Sequence, residues 1–556
     1  MRSILIRVIS PSSNNNLKEK DVTFYLRQDN WNDHSFQTQY HLLLSGAHSL
    51  DGDAVSIGDV KILKRGQLSS DTHLLTIGDF ETLGNEFCSL GQSLDYYERL
   101  ANIDPEIRNY LFSALNDVVI NPSLKSEFQN EEGWNISVMR YIDEDDDIFV
   151  LPQMMISKDY EKLPSIDLSF KFKNHSLQQP IEFNFDSPEY AYNKKLPSRI
   201  SVLVGRNGSG KSTLLSKISR VAFASGADRR DPVLRQVGEF EPIGLGFPKI
   251  INISYSAFDS FQIPGIYIQE KEQILKDMGI GKGRYIFCGI RDIQKELDFS
   301  ISSMITDDRG RLTEEEILKD RQSFTNLKSI ESLLEEVKLL LDVILKRNKL
   351  DLLFDVFNIL SKESSFYDLV KGIKEDNIKS TLPAMFINSS TGHKFVVHSI
   401  VSIIAHSEKR SLILFDEPET HLHPPLLAVL MSSIRHVLGE LDAFAIVATH
   451  SPVVVQETLS RHVKIVRRKG DLTKVIPPEI QSFGENLASI TSHVFSLSTE
   501  VTDFHGELDR LVNTLQSGFI TPTDEKLKKQ IEELFDGEIS MQARAYIMSL
   551  LVNKGD

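Results

Sequence analysis

The sequence predicts an α/β fold: a mixed sheet around a phosphate-binding loop, an antiparallel subsheet beside it, a helical insertion, an extra N-terminal α+β region and C-terminal helices. Three observations predict it. Residues Gly205 to Ser212 read Gly-Arg-Asn-Gly-Ser-Gly-Lys-Ser, between an apolar run, Ile200–Val204, and a helix-like stretch, Thr213–Ile218. A second apolar run, Leu412–Phe415, ends in Asp416-Glu417. A third, Ala443–Val447, leads into Ala448-Thr449-His450-Ser451-Pro452. Short apolar β-rich runs separated by a helix, Pro425–Leu438, are the pattern of buried parallel strands.

The residue types dictate a chemistry. Gly205, Gly208 and Gly210 let the backbone curl so that successive N–H groups point inward at an anion. Arg206, Asn207, Ser209 and Thr213 complete the cradle, and the new helix aims its positive end at the same charge. Lys211 reaches β- and γ-phosphates, and Ser212 offers a hydroxyl to Mg²⁺. Asp416 is placed to hold the same ion, through water, and Glu417 to polarise an attacking water as general base. His450 reaches the γ-phosphate and reports its presence. A large insertion parts Lys211 from Asp416, which the motif order puts on neighbouring strands. His421 and His423 lack a third ligand for a metal pair.

A chain of 556 residues is too long for one core and implies two to four domains. The formal charge of −16 argues against a surface that grips nucleic acid throughout, so any such contact is local or made through a partner. Cys88 and Cys288 form neither a metal spacing nor a disulfide framework. Met1–Ile6 is too short for a secretory apolar core, and no apolar run approaches the roughly 20 residues that cross a bilayer. A cytoplasmic protein with no membrane contact is expected.

Five segments follow. Residues 1–155 form the N-terminal α+β region, with strands at Ile4–Val8 and Val22–Leu26, a helical stretch from Leu94 to Leu115, and an acidic run, Asp143–Asp147, that reads as a solvated turn. Residues 156–265 hold the first lobe of the core. There Ile166, Leu168, Phe170 and Phe172, then Ile181, Phe183 and Phe185, alternate with polar residues as two strands of the subsheet. Ser225–Pro248 looks mobile, and Lys249–Tyr255 reads as a buried strand. Residues 266–380 form the helical insertion: Thr313–Glu316 fits a capping box, and Ile317, Phe324, Leu327, Ile330, Leu333, Leu334 and Val337 follow helical spacing. Residues 381–483 hold the second lobe. Its basic stretch, Arg461–Lys469, either tracks a phosphate backbone or is an edge strand guarded by charge. Residues 484–556 are helical and a candidate partner dock, with Thr521-Pro522 starting a helix over Glu525–Phe535.

The loop, the run Asp416-Glu417-Pro418-Glu419-Thr420-His421-Leu422-His423-Pro424 and Ala448–Pro452 together resemble the ABC-type ATPase heads, of the stand-alone kind seen in overcoming-lysogenization-defect and RecF-like proteins. The resemblance implies ATP and Mg²⁺ as cofactors and a dimer of heads, with a signature Ser-x-Gly touching the nucleotide from the other subunit. Here the candidate is Asn388–Lys394, with Ser390 and Gly392 ahead of a helix at Phe395–Ala405. Thr391 and His393 depart from the pattern, replacing a small residue and an acid or amide. The polarity-sensing loop after strand 249–255 offers Ser256, Asp259 and Gln262 without choosing.

More narrowly, Ser254–Asp259, Phe483–Leu487 and Leu90–Tyr97 resemble the PtuA ATPases of Septu and retron-linked anti-phage systems. That resemblance implies an ATP switch, a homodimer or higher even oligomer, controlling a separate PtuB-like HNH nuclease. In some members a reverse transcriptase and its msDNA hybrid join the complex. A RecF-like or coiled-coil DNA-repair ATPase is the alternative, but 310–375 is short for sustained heptads. An ATPase with its own nuclease would need an Asp-x-Asp pair, and Asp536-Gly537-Glu538 is the nearest string.

Overall fold

The computed structural model describes residues 4–552 except 14–16, 50–51, 164–167, 186–195, 280, 308, 496–503, 518–528, 530, 532 and 536–537. Ile166, Thr521-Pro522, most of 525–535 and Asp536-Gly537 therefore lie outside the described residues. Two compact units emerge, Met1–Glu485 and Asn486–Asp556. The first holds three sheets.

The N-terminal sheet has six strands, β1 (Ile6–Ile9), β2 (Phe24–Gln28), β3 (Gln39–Leu44), β4 (Val55–Lys64), β5 (Gly78–Phe80) and β6 (Phe87–Gly91), in the order β5-β1-β2-β3-β4-β6. Only β1 and β2 pair in parallel. The helical stretch expected from Leu94 to Leu115 holds two helices, Leu94–Ala101 and Pro105–Ala114. Proline at the first helical position and an Asp104 side-chain cap start the second afresh.

The subsheet is antiparallel: β7 (Ser169–Lys173), β8 (Ile181–Asn184) and β10 (Glu239–Glu241), with β7 central. Between them in the chain lies β9 (Ile200–Val204). The main sheet adds β11 (Ile250–Ser254), β12 (Tyr285–Gly289), β13 (Leu412–Asp416), β14 (Phe444–Thr449), β15 (Val463–Lys469) and β16 (Leu472–Ile476). Its order is β12-β11-β13-β14-β9-β15-β16, parallel throughout except for β16. β9, β12 and β14 are buried at every position, which is why these strands read as continuous apolar runs rather than alternations. Phe170, Phe183 and Phe185 of the subsheet share one core with Leu214 and Ile218 of the loop helix and with Leu414 and Ile446.

Five expectations change. β9 and β13 are not neighbours, because β14 lies between them and brings its own C-terminal end into the site. Ser225–Pro248 is not a loose loop: it contains β10, and buried Arg229 donates to the carbonyls of Val221, Ala222, Ile243 and Leu245. The segment 266–380 is not wholly helical. It supplies the sheet strand β12, and residues 319–328 form no helix, because their backbone bonds outward: Gln322 N to Ser260 O and Lys328 N to Ile290 O. Thr313 caps a short helix, Glu314–Leu318, but Glu316 turns to Lys319 instead of closing the box, and a new helix starts at Ile330. β15 is no edge strand, since β16 covers it.

The acidic run is the fifth. Asp143, Glu144 and Asp145 are exposed, but Asp146 is buried and Asp147 accepts from Arg410 at 2.9 Å and from Gly246 N at 2.7 Å. It is a seam between the N-terminal region and the core. Two buried pairs continue that seam: Arg284–Asp95 at 2.8 Å and Lys249–Glu98 at 2.6 Å. Both basic residues immediately precede sheet strands, so the helix Leu94–Ala101 grips the main sheet at the end opposite the phosphate loop. Burial pushes the Asp95 carboxyl up against the pull of Arg284.

Asn486–Asp556 contains helices Leu487–Phe495, Phe504–Ser517 and Met541–Val552, with Leu508, Val512, Ile531 and Ile547 as its core. Among the described residues no helix is long and apolar enough to cross a membrane.

Removing one partner of a buried pair strands the other. Arg284→Met should cost about 3–5 kcal/mol in urea unfolding, and Arg284→Met with Asp95→Leu should recover much of it. A single-variant loss below about 1 kcal/mol would show that the seam carries no load.

Candidate functional site

Parallel strands present their C-terminal ends together, and the site grows from those ends. β9 runs into the loop 205–210, and the helix Lys211–Phe223 follows at once. Gly208 and Gly210 sit at φ of 78° and 96°, where a side chain would be strained. A Cβ on Gly205 would run into Val466 O of β15 and Ser209 Oγ. The cradle thus needs glycine at all three places. Ser209 Oγ is buried without a hydrogen-bond partner, as expected of a group awaiting a ligand. Lys211 is buried, and its ammonium folds back onto the carbonyls of Gly205 at 3.0 Å and Arg206 at 3.4 Å. Burial holds that ammonium below its ordinary range, against Glu417, Asp416 and Glu419. Arg206 and Asn207 are exposed at the loop tip, and Thr213 is half-buried in the first helical turn.

Register brings in the second half. Asp416 pairs with Ala448 across β13–β14, and Thr449 pairs with Val204 across β14–β9. The three strand ends are therefore level. Ser212 Oγ donates to Asp416 Oδ1 at 2.9 Å, the placement two oxygens sharing a hard cation would need. Burial pushes Asp416 up to about 7, with Ser212 opposing and Asp259 and Glu417 adding to the rise. A serine hydroxyl, one aspartate and an anion cradle fit a magnesium nucleotide; the donors suit no softer metal.

Glu417 stands at φ 49°, left-handed backbone that a glutamate adopts only when its surroundings insist. Its N–H donates to Ala448 O at 2.8 Å, which holds that turn. The chain thus bends as β13 ends and shows the carboxylate beside His450. His450 Nδ1 lies 3.1 Å from Glu419 and 3.6 Å from Glu417. Glu417, aided by Glu419, holds the imidazole above its ordinary value, and His450 with Lys211 holds Glu417 below the usual carboxylate range. The pair favours an imidazolium beside a carboxylate.

Glu419 is the group that motif reading passed over. Both its oxygens accept from Thr449 Oγ1 at 2.8 Å, and Oε1 accepts from His450 N at 2.7 Å. It fixes the end of β14 and so aims His450. Its place two residues after Glu417 was the available signal. His423, by contrast, caps the helix Pro424–Glu440, accepting from Leu426 N at 3.4 Å, while His421 is exposed at φ 64°.

The three polarity-sensing candidates separate. Asp259 is buried and adds to the field on Asp416, while Arg291 donates to it at 3.2 Å. Ser256 accepts from Phe258 N in its own turn, and Gln262 faces Lys271 at 3.5 Å. Asp259 is the one that faces the carboxylate end of the sheet.

Ser390 and Gly392 begin the helix Thr391–His406, longer than expected by a turn at its start. Ser390 is exposed and caps that helix; its contacts run to His393. Gly392 is buried against the neighbouring loop, where a Cβ would meet His421 O at 2.8 Å. On the other side of the phosphate loop opens a cleft of about 250 Å³, bounded by Gly210, Thr213, Lys217, Asn174, Arg468 and Thr473. Asn174 Nδ2 is buried there without a partner, a donor free for a nucleoside. Arg468, from the basic stretch, thus borders this cleft.

Several known proteins are similar to this chain. Residues 298–456 match the family described as "AAA domain, putative AbiEii toxin, Type IV TA system", a stretch that includes Asp416, Glu417 and His450 and starts after the phosphate loop. Protein ea59 of Escherichia phage lambda is 28% identical over 97% of this chain and 96% of its own length. The Septu protein PtuA of Bacillus thuringiensis is 26% identical over 46% of this chain and 67% of its own. Among solved structures, a nucleotide-free ATP-binding cassette of an ABC transporter aligns over 60% of this chain and 98% of its own at 14% identity and TM-score 0.26. An SMC head bound to the C-winged helix domain of ScpA aligns over 56% and 97% at 15% identity and TM-score 0.25.

Glu419→Gln should release Thr449 and the His450 backbone without touching the cradle. Steady-state phosphate release should fall by about tenfold, with the nucleotide dissociation constant within about twofold of wild type. An equal loss in nucleotide affinity would place Glu419 in the cradle instead.

Proposed function

Starting from an ABC-type AAA ATPase that resembles PtuA, we propose that this chain is the ATP-hydrolysing switch subunit of an anti-phage complex, and that two heads close face to face on two ATP molecules. The observation that carries the reading is the split in the site. Lys211, Ser212, Asp416, Glu417 and His450 converge on the strand ends, whereas Ser390 stands exposed at another helix start with its contacts on its own side. A γ-phosphate held by one head and touched by Ser390 and Gly392 of the partner subunit gives the closed dimer a contact the open form lacks.

The residues divide the work. Lys211 exchanges the two loop carbonyls for phosphate oxygens, and the loop N–H groups take the rest of the charge. Ser212 and Asp416 would hold Mg²⁺, which when bound neutralises charge developing on the transferred phosphoryl group. Glu417 orients the attacking water and accepts its proton. His450, whose protonated form Glu417 and Glu419 favour, faces the γ-phosphate and loses that contact once phosphate leaves.

The effector is then a second protein, an HNH nuclease of the PtuB kind, with a reverse transcriptase and its msDNA as further candidates. The helical unit Asn486–Asp556 is the candidate dock, and the exposed ends of the β15–β16 hairpin, Arg467 and Lys469, are the candidate local contact for nucleic acid. Support comes from the PtuA likeness and from the ea59 likeness, which spans the N-terminal region as well as the core and sits on a phage genome. A switch carried by one phage against competitors fits that setting.

Complementation tests the shared site. Lys211→Ala and Ser390→Arg should each abolish ATP-driven dimerisation and phosphate release. Mixed in equal amounts, they should regain roughly a quarter of wild-type release, because one interface pocket of the mixed dimer is intact. No recovery on mixing, with both variants folded, would mean that each pocket is built from one chain.

A further inference from the structure

His393 stands where the signature pattern has an acid or amide, and the structure gives the change a chemistry. Four side chains are joined in series. Ser390 Oγ lies 2.6 Å from His393 Nδ1, and His393 Nε2 lies 2.9 Å from Ser365 Oγ. Ser365 Oγ donates to Glu363 Oε2 at 2.5 Å. Glu363 also caps the helix Ser364–Val370 through Phe366 N, and the Phe366 ring packs beside the imidazole with centroids 5.8 Å apart. The series links a helix of the 266–380 segment to the first turn of the signature helix.

Counting protons fixes its direction. A hydroxyl has one proton, and Ser365 spends its proton on a carboxylate. Burial works against the charge on Glu363, but the hydrogen bonds from Ser365 and the Phe366 N–H outweigh it, so this carboxyl lies below its ordinary range and stays ionised. Ser365 can then only accept from the ring, so Nε2 carries a hydrogen. A neutral imidazole has its lone pair left at Nδ1, and Ser390 must turn its proton inward to meet it. In that state Ser390 shows only lone pairs outward, which repel a phosphate. With a second proton on the ring, Nδ1–H donates to Ser390 Oγ, and the serine proton swings free.

We propose that Glu363, Ser365 and His393 form a relay that makes Ser390 a phosphate donor only when His393 is doubly protonated, so that each head takes one proton from solvent as it closes on the partner's triphosphate. This rests on the face-to-face reading above. Every neighbour of the ring bears on the balance. Glu363 and Ser365 face Nε2 and Ser390 faces Nδ1; Phe366 packs on the ring, and His423 approaches from the start of Pro424–Glu440. Lys394, next in the chain, is turned onto Ser389 O. In the open head, burial with His423 holds His393 below its ordinary value against the pull of Glu363. A γ-phosphate opposite Ser390 moves it the other way. The closed form therefore has the higher value: its advantage is complete below the open-state value and is lost as pH rises through the closed-state value. The proton returns to solvent when phosphate leaves.

The test uses full-length chain carrying Glu417→Gln, with ATP and Mg²⁺, by sedimentation velocity from pH 6 to 8.5. The dimer dissociation constant should rise by at least about tenfold per pH unit in the upper half of that range. Adding His393→Gln should flatten the profile. Adding Ser365→Ala removes the acceptor that forces hydrogen onto Nε2, so the neutral ring is free to donate to Ser390. That variant should dimerise at pH 8.5 about as tightly as the parent does at pH 6.5, a gain that lost packing would not give. A slope that persists in both variants, or a parent profile that is flat, overturns the relay. No ATP-driven dimer at any pH in any variant overturns the face-to-face reading instead.

Discussion

The level register of β13, β14 and β9 is the constraint on which the site depends. One hydrogen bond, Ser212 to Asp416, spans from the loop helix to the end of a strand two places away, and it exists because β14 pairs both neighbours without a slip. A shift of one residue would turn Asp416 to the opposite face and take Thr449 from Glu419. Polar contacts at the strand end pin the register: Glu417 N donates to Ala448 O, and Thr449 Oγ1 and His450 N donate to Glu419. The N-terminal region reinforces it from the far end of the sheet, where Asp95 and Glu98 hold the bases just ahead of β12 and β11.

Strain and charge at the carboxylate end are arranged around the same frame. Glu417 is bent into left-handed backbone while Glu419 is spent on Thr449 and His450. The two glutamates, two residues apart, thus do different work: one is presented and the other is consumed in positioning. Asp259 adds negative charge near Asp416, yet is itself held by Arg291, which also pairs with Glu296 at 2.6 Å. A dense field of carboxylates beside a buried lysine has the charge pattern that suits a cation and an anion bound together.

Much of this was legible in the residues. Glycine at 205, 208 and 210, lysine and serine after them, and carboxylates ending an apolar strand have few other uses, so the loop and its strands could be read directly. What escaped depended on partners distant in sequence. Arg229 orders Ser225–Pro248 by gathering carbonyls from two segments, and no local pattern announces it. Residues 319–328 keep helical spacing but bond to Ser260, Ile290 and Glu296, so tertiary partners override periodicity. Asp147 looked solvated because a run of acids reads as a surface turn; Arg410 lies far along the chain. The insertion of β14 between β9 and β13 is a matter of topology, which motif order does not encode.

The face-to-face dimer requires that each nucleotide pocket be completed by the partner subunit. A cryo-EM map of the Glu417→Gln protein with ATP and Mg²⁺ tests it most directly. Paired heads are predicted, each triphosphate lying between Lys211 of one chain and Ser390 of the partner subunit. Single heads with nucleotide bound, or pockets lined by one polypeptide alone, would contradict it.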